Sequence, residues 1–321
     1  MNSFAFVFPG QGSQSVGMLD AWGDHPVVAQ TLQEASEALN EDVAALIKNG
    51  PKEALALTTN TQPVMLVSAI AAYRVWMAEV GVAPSVVAGH SLGEYSALVA
   101  SGVLTLAQAA PLVRLRAQAM QDAVPVGQGA MAAIMGLGAA KITVVCAEVT
   151  TSLQAQGAEF AAESVQAANY NDPGQTVISG SKVAVDKACE LLKAAGAKRA
   201  LLLAVSAPFH SSLMLPAAQK LQQALISVSF AAPQIPVINN IDVQVVHDAA
   251  AIKDALYRQA FGPVRWVECV AAIKARGVLN MVECGPGRVL AGLVKRIDAE
   301  MTGAALFDPA SMTEVKTLLQ S

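Results

Sequence analysis

The first apolar run is Phe4–Phe8, closed at once by Pro9-Gly10. A run of that length bounded by a turn signal predicts a buried strand. A longer apolar stretch begins at Thr61-Gln62-Pro63 and predicts a helix to about Met77, with a capping threonine and a proline near the first turn. Ser85–Ala88 reads as a second strand. Gly89-His90-Ser91-Leu92-Gly93 follows it, and from Glu94 to Ser101 the residues favour helix, with Gly102 placed to end it.

The middle of the chain has a different rhythm. Met131–Met135 predicts a strand, residues 140–155 a helix, and Val165–Ala168 and Thr176–Ser179 two strands around an Asn/Asp/Pro/Gly turn. A helix over 182–195 and a strand over Ala200–Ala204 complete a β-α-β-β-α-β series, the pattern of a ferredoxin-like unit. The Pro/Gly-rich stretch Val124-Pro125-Val126-Gly127-Gln128-Gly129 suits a domain boundary. The expectation is a small ferredoxin-like domain, 126–199, inserted into a larger α/β domain made of 1–125 and 200–321. Beyond the insertion the pattern predicts helices near 213–226, 249–260 and 264–276, strands at Val237–Asn239 and Asn280–Glu283, and a helix from Gly285-Pro286-Gly287 to about Arg296.

Composition narrows the classes. With 321 residues, 54% hydrophobic and 14% charged, the chain can bury a full core and is not of the disordered class. A formal net charge of -4 argues against nucleic acid as the main partner, while leaving room for a local basic patch. No basic residue precedes the first apolar run, so no secretory signal is expected. The uncharged stretches 54–73 and 200–219 are broken by Thr, Asn, Gln, Ser, His and Pro, so no membrane span is expected. Cys146, Cys189, Cys269 and Cys284 are scattered without a C-x-x-C pair; neither metal nor disulfide is expected, and a reducing cytoplasm suits them.

Ser91 lies at the centre of a G-x-S-x-G, in the strand–turn–helix context that exposes a nucleophilic hydroxyl above a sheet. The competing reading is a serine that only caps the helix after it. A nucleophilic serine needs a base. Of the four histidines, His90 is adjacent to Ser91 and adjacent side chains diverge, while His25 and His247 sit in polar surface segments. His210, in Ala207-Pro208-Phe209-His210-Ser211 just after an apolar strand, is the candidate base.

Five stretches in this order carry a resemblance: Phe8-Pro9-Gly10-Gln11-Gly12-Ser13-Gln14, Gly89-His90-Ser91-Leu92-Gly93-Glu94, Ala207–Ser211, Asn239-Asn240 and Glu283-Cys284-Gly285-Pro286-Gly287. The chain resembles the malonyl-CoA:acyl carrier protein transacylases of bacterial fatty acid synthesis from residue 4 to about Arg296. The resemblance implies a hydrolase-like α/β domain with a parallel sheet, carrying an inserted ferredoxin-like domain. It implies Ser91 as the acylated nucleophile, His210 as its base, and the backbone N–H groups of Gln11 and Leu92 as the oxyanion hole. A backbone carbonyl replaces the triad acid, at the position matching Gln259. Arg116 matches the arginine that holds the free malonyl carboxylate, which a planar guanidinium can bind through two parallel hydrogen bonds.

The substrates implied are malonyl-CoA and holo acyl carrier protein, with no metal or other cofactor and a cytoplasmic setting. Arg288, Lys295 and Arg296, or Lys198 and Arg199, are candidates for docking an acidic carrier. Asn169 and Asn171 are expected in the small domain's central turn, facing the cleft or serving the turn alone. Two other readings stay open: a malonyl transferase serving malonate decarboxylase or a polyketide system, and a serine esterase.

Overall fold

A computed structural model describes residues 1–320. Among them nine strands form two sheets: β1 (Phe4–Phe8), β2 (Val86–Gly89), β3 (Gly129–Met135), β4 (Val165–Asp172), β5 (Gln175–Ser181), β6 (Arg199–Leu202), β7 (Val237–Ile238), β8 (Asn280–Cys284) and β9 (Thr302–Leu306). The first sheet is five-stranded in the order β7-β2-β1-β8-β9, and all its pairs are parallel. A parallel sheet is covered on both faces, so its strands are apolar throughout rather than alternating. In β1 the large Phe4, Phe6 and Phe8 face the main core, and the small Ala5 and Val7 face a second cluster around Trp266 and Ile273. Helix Thr58–Glu79 packs on the phenylalanine face and is almost wholly buried, which is why its sequence shows no amphipathic stripe.

The second sheet has the order β4-β5-β3-β6 and is antiparallel. Helices Ala139–Gln154 and Lys182–Ala194 cover one face of it, giving the ferredoxin-like arrangement. Alternation along β3 divides its side chains: Ala132 and Ile134 point to those helices, Met131 and Ala133 to the main core. The free edge of β4 is closed by Val264, whose N–H donates to the Ala168 carbonyl at 2.8 Å and whose carbonyl accepts from Tyr170 at 2.9 Å. The second sheet is thereby tied to the segment between helices Ala249–Phe261 and Trp266–Ala275.

Several expectations shift. The helix expected from Thr61 starts at Thr58, placing Pro63 inside it; Thr61 instead bonds backwards, its hydroxyl donating to the Leu55 and Leu57 carbonyls. Strands β4 and β5 continue through the Asn/Asp stretch to a turn at Pro173-Gly174, so Asn169 and Asn171 lie in a bulged strand and not in a turn. Helices Pro26–Leu39, Val43–Asn49, Lys52–Ala56 and Leu106–Asp122, strand β9 and helix Pro309–Gln320 were not anticipated. Among the described residues no helix is long and apolar enough to cross a membrane.

The aromatic cluster under β1 gives a stability test. Phe6 is fully buried, with the rings of Phe4, Trp76 and Tyr73 at 5.1, 5.6 and 6.0 Å. We expect Phe6→Ala to cost about 3–5 kcal/mol in urea unfolding, because the rigid sheet cannot collapse into the void. A cost below about 1 kcal/mol would mean that the helix Thr58–Glu79 moves in to fill it.

Candidate active site

Ser91 sits between the end of β2 and the helix Gly93–Ala100, with φ at 53°. The left-handed strain therefore falls on the serine itself. Neither flanking glycine has a positive φ; each is needed for close approach. A Cβ on Gly93 would lie 2.0 Å from the Phe8 carbonyl oxygen, and one on Gly89 would lie 1.9 Å from the Gly93 backbone.

A strained residue persists only where its surroundings over-determine it. Here Asn240 does most of that. Its Oδ1 accepts from the Ser91 N–H at 2.8 Å, its Nδ2 donates to the Gly89 carbonyl at 2.8 Å, and its own N–H donates to Glu94 Oε2 at 2.9 Å. Gln259 Nε2 holds the Ser91 carbonyl at 2.9 Å. Both residues were quoted or assigned from the sequence, but the bracing by Asn240 and by the Gln259 side chain was not foreseen.

His210, also at positive φ (60°), places Nε2 2.6 Å from Ser91 Oγ. Its Nδ1 lies 2.9 Å from the Gln259 carbonyl and 3.1 Å from the Gly262 carbonyl. Carbonyls only accept, so Nδ1 carries the proton and Nε2 offers a lone pair to the serine hydroxyl. The expected Gln259 carbonyl is in place, and Gly262 adds a second acceptor that sequence reasoning missed. Both belong to the end of helix Ala249–Phe261, where unpaired carbonyls form the negative pole of the helix. Burial, with the Arg116 charge second, drives the His210 pKa down to about 3, while the Gln259 carbonyl works the other way.

Arg116 is 2% exposed on the helix Leu106–Asp122. Its Nη1 donates to Gln62 Oε1 at 2.7 Å; its Nη2 reaches Gln259 Oε1 at 3.2 Å and Ser91 Oγ at 3.3 Å. All its partners are neutral, so the cation stands beside the nucleophile without a carboxylate on it. Gln62 is a further residue the sequence did not single out. The backbone N–H groups of Gln11 and Leu92 donate to nothing among the described residues. Leu92 is at the amino end of the helix Gly93–Ala100, whose positive pole faces the serine. Gln11, Gln62, Ser91, Arg116, His210 and Asn169 line one cavity.

The other histidines fall as expected. His90 lines the same cavity but bonds Asn171 Oδ1 at 2.9 Å, against the Trp266 ring. His25 caps helix Pro26–Leu39 and meets Glu79, and His247 does not line the cavity. The four cysteines are buried free thiols.

A serine on a strand–helix elbow above a parallel sheet, hydrogen-bonded to a neutral imidazole, defines an acyl-enzyme site of the α/β-hydrolase kind. The buried Arg116 guanidinium stands 3.3 Å from the serine hydroxyl. Residues 5–306 match the acyl transferase domain family, and the chain belongs to that family. It is 50% identical over 318 residues to the malonyl CoA-acyl carrier protein transacylase of Salmonella typhimurium, covering 99% of this chain and 100% of that one. The crystal structure of the acyl-carrier-protein S-malonyltransferase from Burkholderia pseudomallei is 59% identical and superposes with a TM-score of 0.93 over 98% of this chain and 99% of that one. A malonyl-transacylase solved with its type II polyketide acyl-carrier protein is 50% identical, with a TM-score of 0.92 over 97% of this chain and 98% of that one.

Two outcomes follow from the geometry. Asn240→Ala leaves the elbow without its brace, and acyl loading should slow roughly 100-fold, since small displacements of a reacting atom carry that cost. Single-turnover kinetics on folded variant would show it; an unchanged rate would mean the glycines alone set the turn. Because the neutral imidazole is the competent form and its pKa lies near 3, acyl loading at saturating donor should not fall between pH 7 and 5. An acid limb near the ordinary imidazole value of about 6.5 would show that His210 is not buried as described.

Proposed function

We propose that this chain transfers the malonyl group from malonyl-CoA to the phosphopantetheine thiol of acyl carrier protein through an acyl-enzyme on Ser91. The observation that carries the reading is the Arg116 guanidinium 3.3 Å from the Ser91 hydroxyl, buried and bonded only to neutral groups. A malonyl thioester attacked by Ser91 would put its free carboxylate beside that cation. The near-full-length identity to malonyl transacylases supports the same donor and acceptor.

Ser91 Oγ attacks the thioester carbonyl as its proton passes to His210 Nε2, and the developing oxyanion is held by the N–H groups of Gln11 and Leu92. Collapse breaks the carbon–sulfur bond. His210 returns the proton to the departing thiolate, giving CoA thiol and malonyl-serine. The carrier's thiol then gives its proton to His210, attacks the ester and leaves as malonyl thioester, restoring the serine hydroxyl. Oxidation states do not change, and the sequence of steps calls for no metal or cofactor.

Two carbonyls on Nδ1, rather than a carboxylate, favour transfer over hydrolysis. They fix the tautomer but stabilise imidazolium less, so the base is weak and suits a thiol better than water. The second sheet walls the cleft through Met131 and Asn169, which limits water at the ester. For the carrier, Lys198 and Arg199 at the start of β6 and the group Arg288, Lys295 and Arg296 are the proposed docking cations. Arg296 also reaches Asp172 of β4 at 3.5 Å, and Arg288 stacks on Phe307. The likeness to a transacylase bound to a polyketide carrier makes that class of carrier a second acceptor to test. The cytoplasm is the proposed setting, in keeping with the four free thiols.

Intact-protein mass spectrometry tests the reading. Brief mixing with malonyl-CoA should add a malonyl group to the native chain and none to Ser91→Ala, and holo acyl carrier protein should discharge it. An adduct that decays equally fast without a carrier would indicate a hydrolase. Arg116→Ala should lower malonyl loading by a factor of roughly 30 to several thousand while acetyl loading is kept or raised, the cost of losing one member of a buried charge pair being about 2–5 kcal/mol.

A further inference from the structure

Behind the cavity wall lies a second buried ionisable group that the reaction steps above leave unused. Glu94, 1% exposed on the first turn of helix Gly93–Ala100, lies behind Gln259 as seen from Arg116. The Gln259 amide joins the two. Its Oε1 accepts from Arg116 Nη2 at 3.2 Å, and its Nε2 donates to Glu94 Oε2 at 3.0 Å. Carboxylate, amide and guanidinium thus form a line in which the amide keeps anion and cation apart. With the acyl pocket empty, Glu94 is the counter-charge of Arg116, held at one remove. Among the described residues Arg116 Nε is buried with no hydrogen-bond partner, and the guanidinium lies over the Tyr95 ring.

Loading a malonyl group changes this balance. A second carboxylate enters a water-poor site that already holds one, and a single guanidinium faces both. Two carboxylates sharing one cation in a low dielectric do not both stay ionised. We propose that Glu94 is a specificity-setting residue that takes up a proton as the malonyl carboxylate docks on Arg116, so that its ionisation sets how strongly the pocket prefers charged over neutral acyl groups. The inference rests on the malonyl reading of Arg116 given above.

The surroundings of Glu94 favour it over its neighbours as the proton acceptor. Burial raises its pKa to about 7, while the Asn240 N–H, the Gln259 amide and Arg116 pull it down and Asp242 pushes it up. Asp242 is itself held ionised by Arg258. Tyr95, on the same helix, is pushed up to about 12, and the Cys269 thiol is pushed up further; both stay protonated. Enclosure lowers His90, and burial with the Arg116 charge lowers His210 to about 3. Glu94, joined to Arg116 through the Gln259 amide, is the carboxyl of this cluster poised to exchange a proton near neutrality. The sign follows: as pH rises through about 7, Glu94 ionises in the empty site and opposes the incoming carboxylate. Malonyl over acetyl preference should therefore fall on the order of tenfold from pH 6 to pH 9, one pKa unit of coupling being a factor of ten.

Calorimetry on the full chain tests this. Ser91→Ala binds donor without reacting, and titration in two buffers of different ionisation enthalpy counts protons taken up. At pH 8 malonyl-CoA should take up a substantial fraction of a proton more than free CoA, which carries the same phosphates. In Ser91→Ala/Glu94→Gln that excess should vanish, because glutamine keeps an oxygen for Asn240 and Gln259 but cannot titrate. In chains with Ser91 intact, the pH slope of the malonyl-to-acetyl loading ratio should be present with Glu94 and flat with Glu94→Gln. Malonyl-CoA binding with no excess uptake, or uptake that survives Glu94→Gln, overturns the inference, the second result moving the proton to His210. Failure of malonyl-CoA to bind at all would instead overturn the malonyl reading itself.

Discussion

The structure turns on one strained backbone position. Ser91 must project its hydroxyl out of a turn too tight for ordinary conformations, and φ at 53° is the form this takes. Everything close by is arranged around that cost, of order 1–3 kcal/mol for a residue in this region. Gly93 lets the turn press against the Phe8 carbonyl, Asn240 holds the N–H of Ser91 and the carbonyl of Gly89, and Gln259 holds the carbonyl of Ser91. The parallel sheet supplies the foundation. β2 lies between β1 and β7, so the loops after all three strands converge at the serine: the Gly10–Gly12 loop, the elbow and Asn239-Asn240.

Gln259 then ties the elbow to the rest of the chemistry. Its main-chain carbonyl fixes the His210 tautomer, and its side chain touches Ser91, Glu94 and Arg116. Ser91, His210 and Arg116, the proposed nucleophile, base and acyl-binding cation, are therefore all held by one residue in the last turn of a single helix. A rigid helix end is a better fixture than a loop for geometry that must hold within fractions of an ångström.

What could be read from the sequence was local. The Phe4–Phe8 run, the strand before Ser91 and the β-α-β-β-α-β rhythm are short-range patterns, and the elements they predicted lie on or within a few residues of those observed, while helices such as Pro26–Leu39 and Leu106–Asp122 went unread. The motifs likewise pointed to Ser91, His210 and Gln11, and the resemblance they carry pointed to Arg116; the fold gathers all four into one cavity. What was not legible depends on adjacency. That β7 pairs with β2, bringing Asn240 under Ser91, follows from strand order, which no local pattern encodes. Helix Thr58–Glu79 was placed late because, buried all round, it lacks the stripe that marks a helix start, and Thr61 took a backward bond that looks like a cap in sequence. Asn169 and Asn171 read as turn residues because Asn and Asp favour turns; the bulged strand and the His90 bond overrode that preference.

The lack of a carboxylate on His210 has a consequence for how such a site must balance charge. A Ser-His-Asp site keeps its anion on the base. Here the nearest ionisable carboxylate, Glu94, lies on the other side of the amide from Arg116, and His210 leans on helix-terminal carbonyls of partial charge only. Had an aspartate stood on Nδ1, the incoming malonyl carboxylate would face a second full negative charge close to the reacting bond. On the proposed reading, using carbonyls there leaves Arg116 free to act on the substrate, at the expense of a weaker base. A thiol, far more acidic than water, tolerates a weak base. The same substitution thus serves both halves of the reaction: it admits a charged acyl group, and it favours a thiol as the group that carries it away.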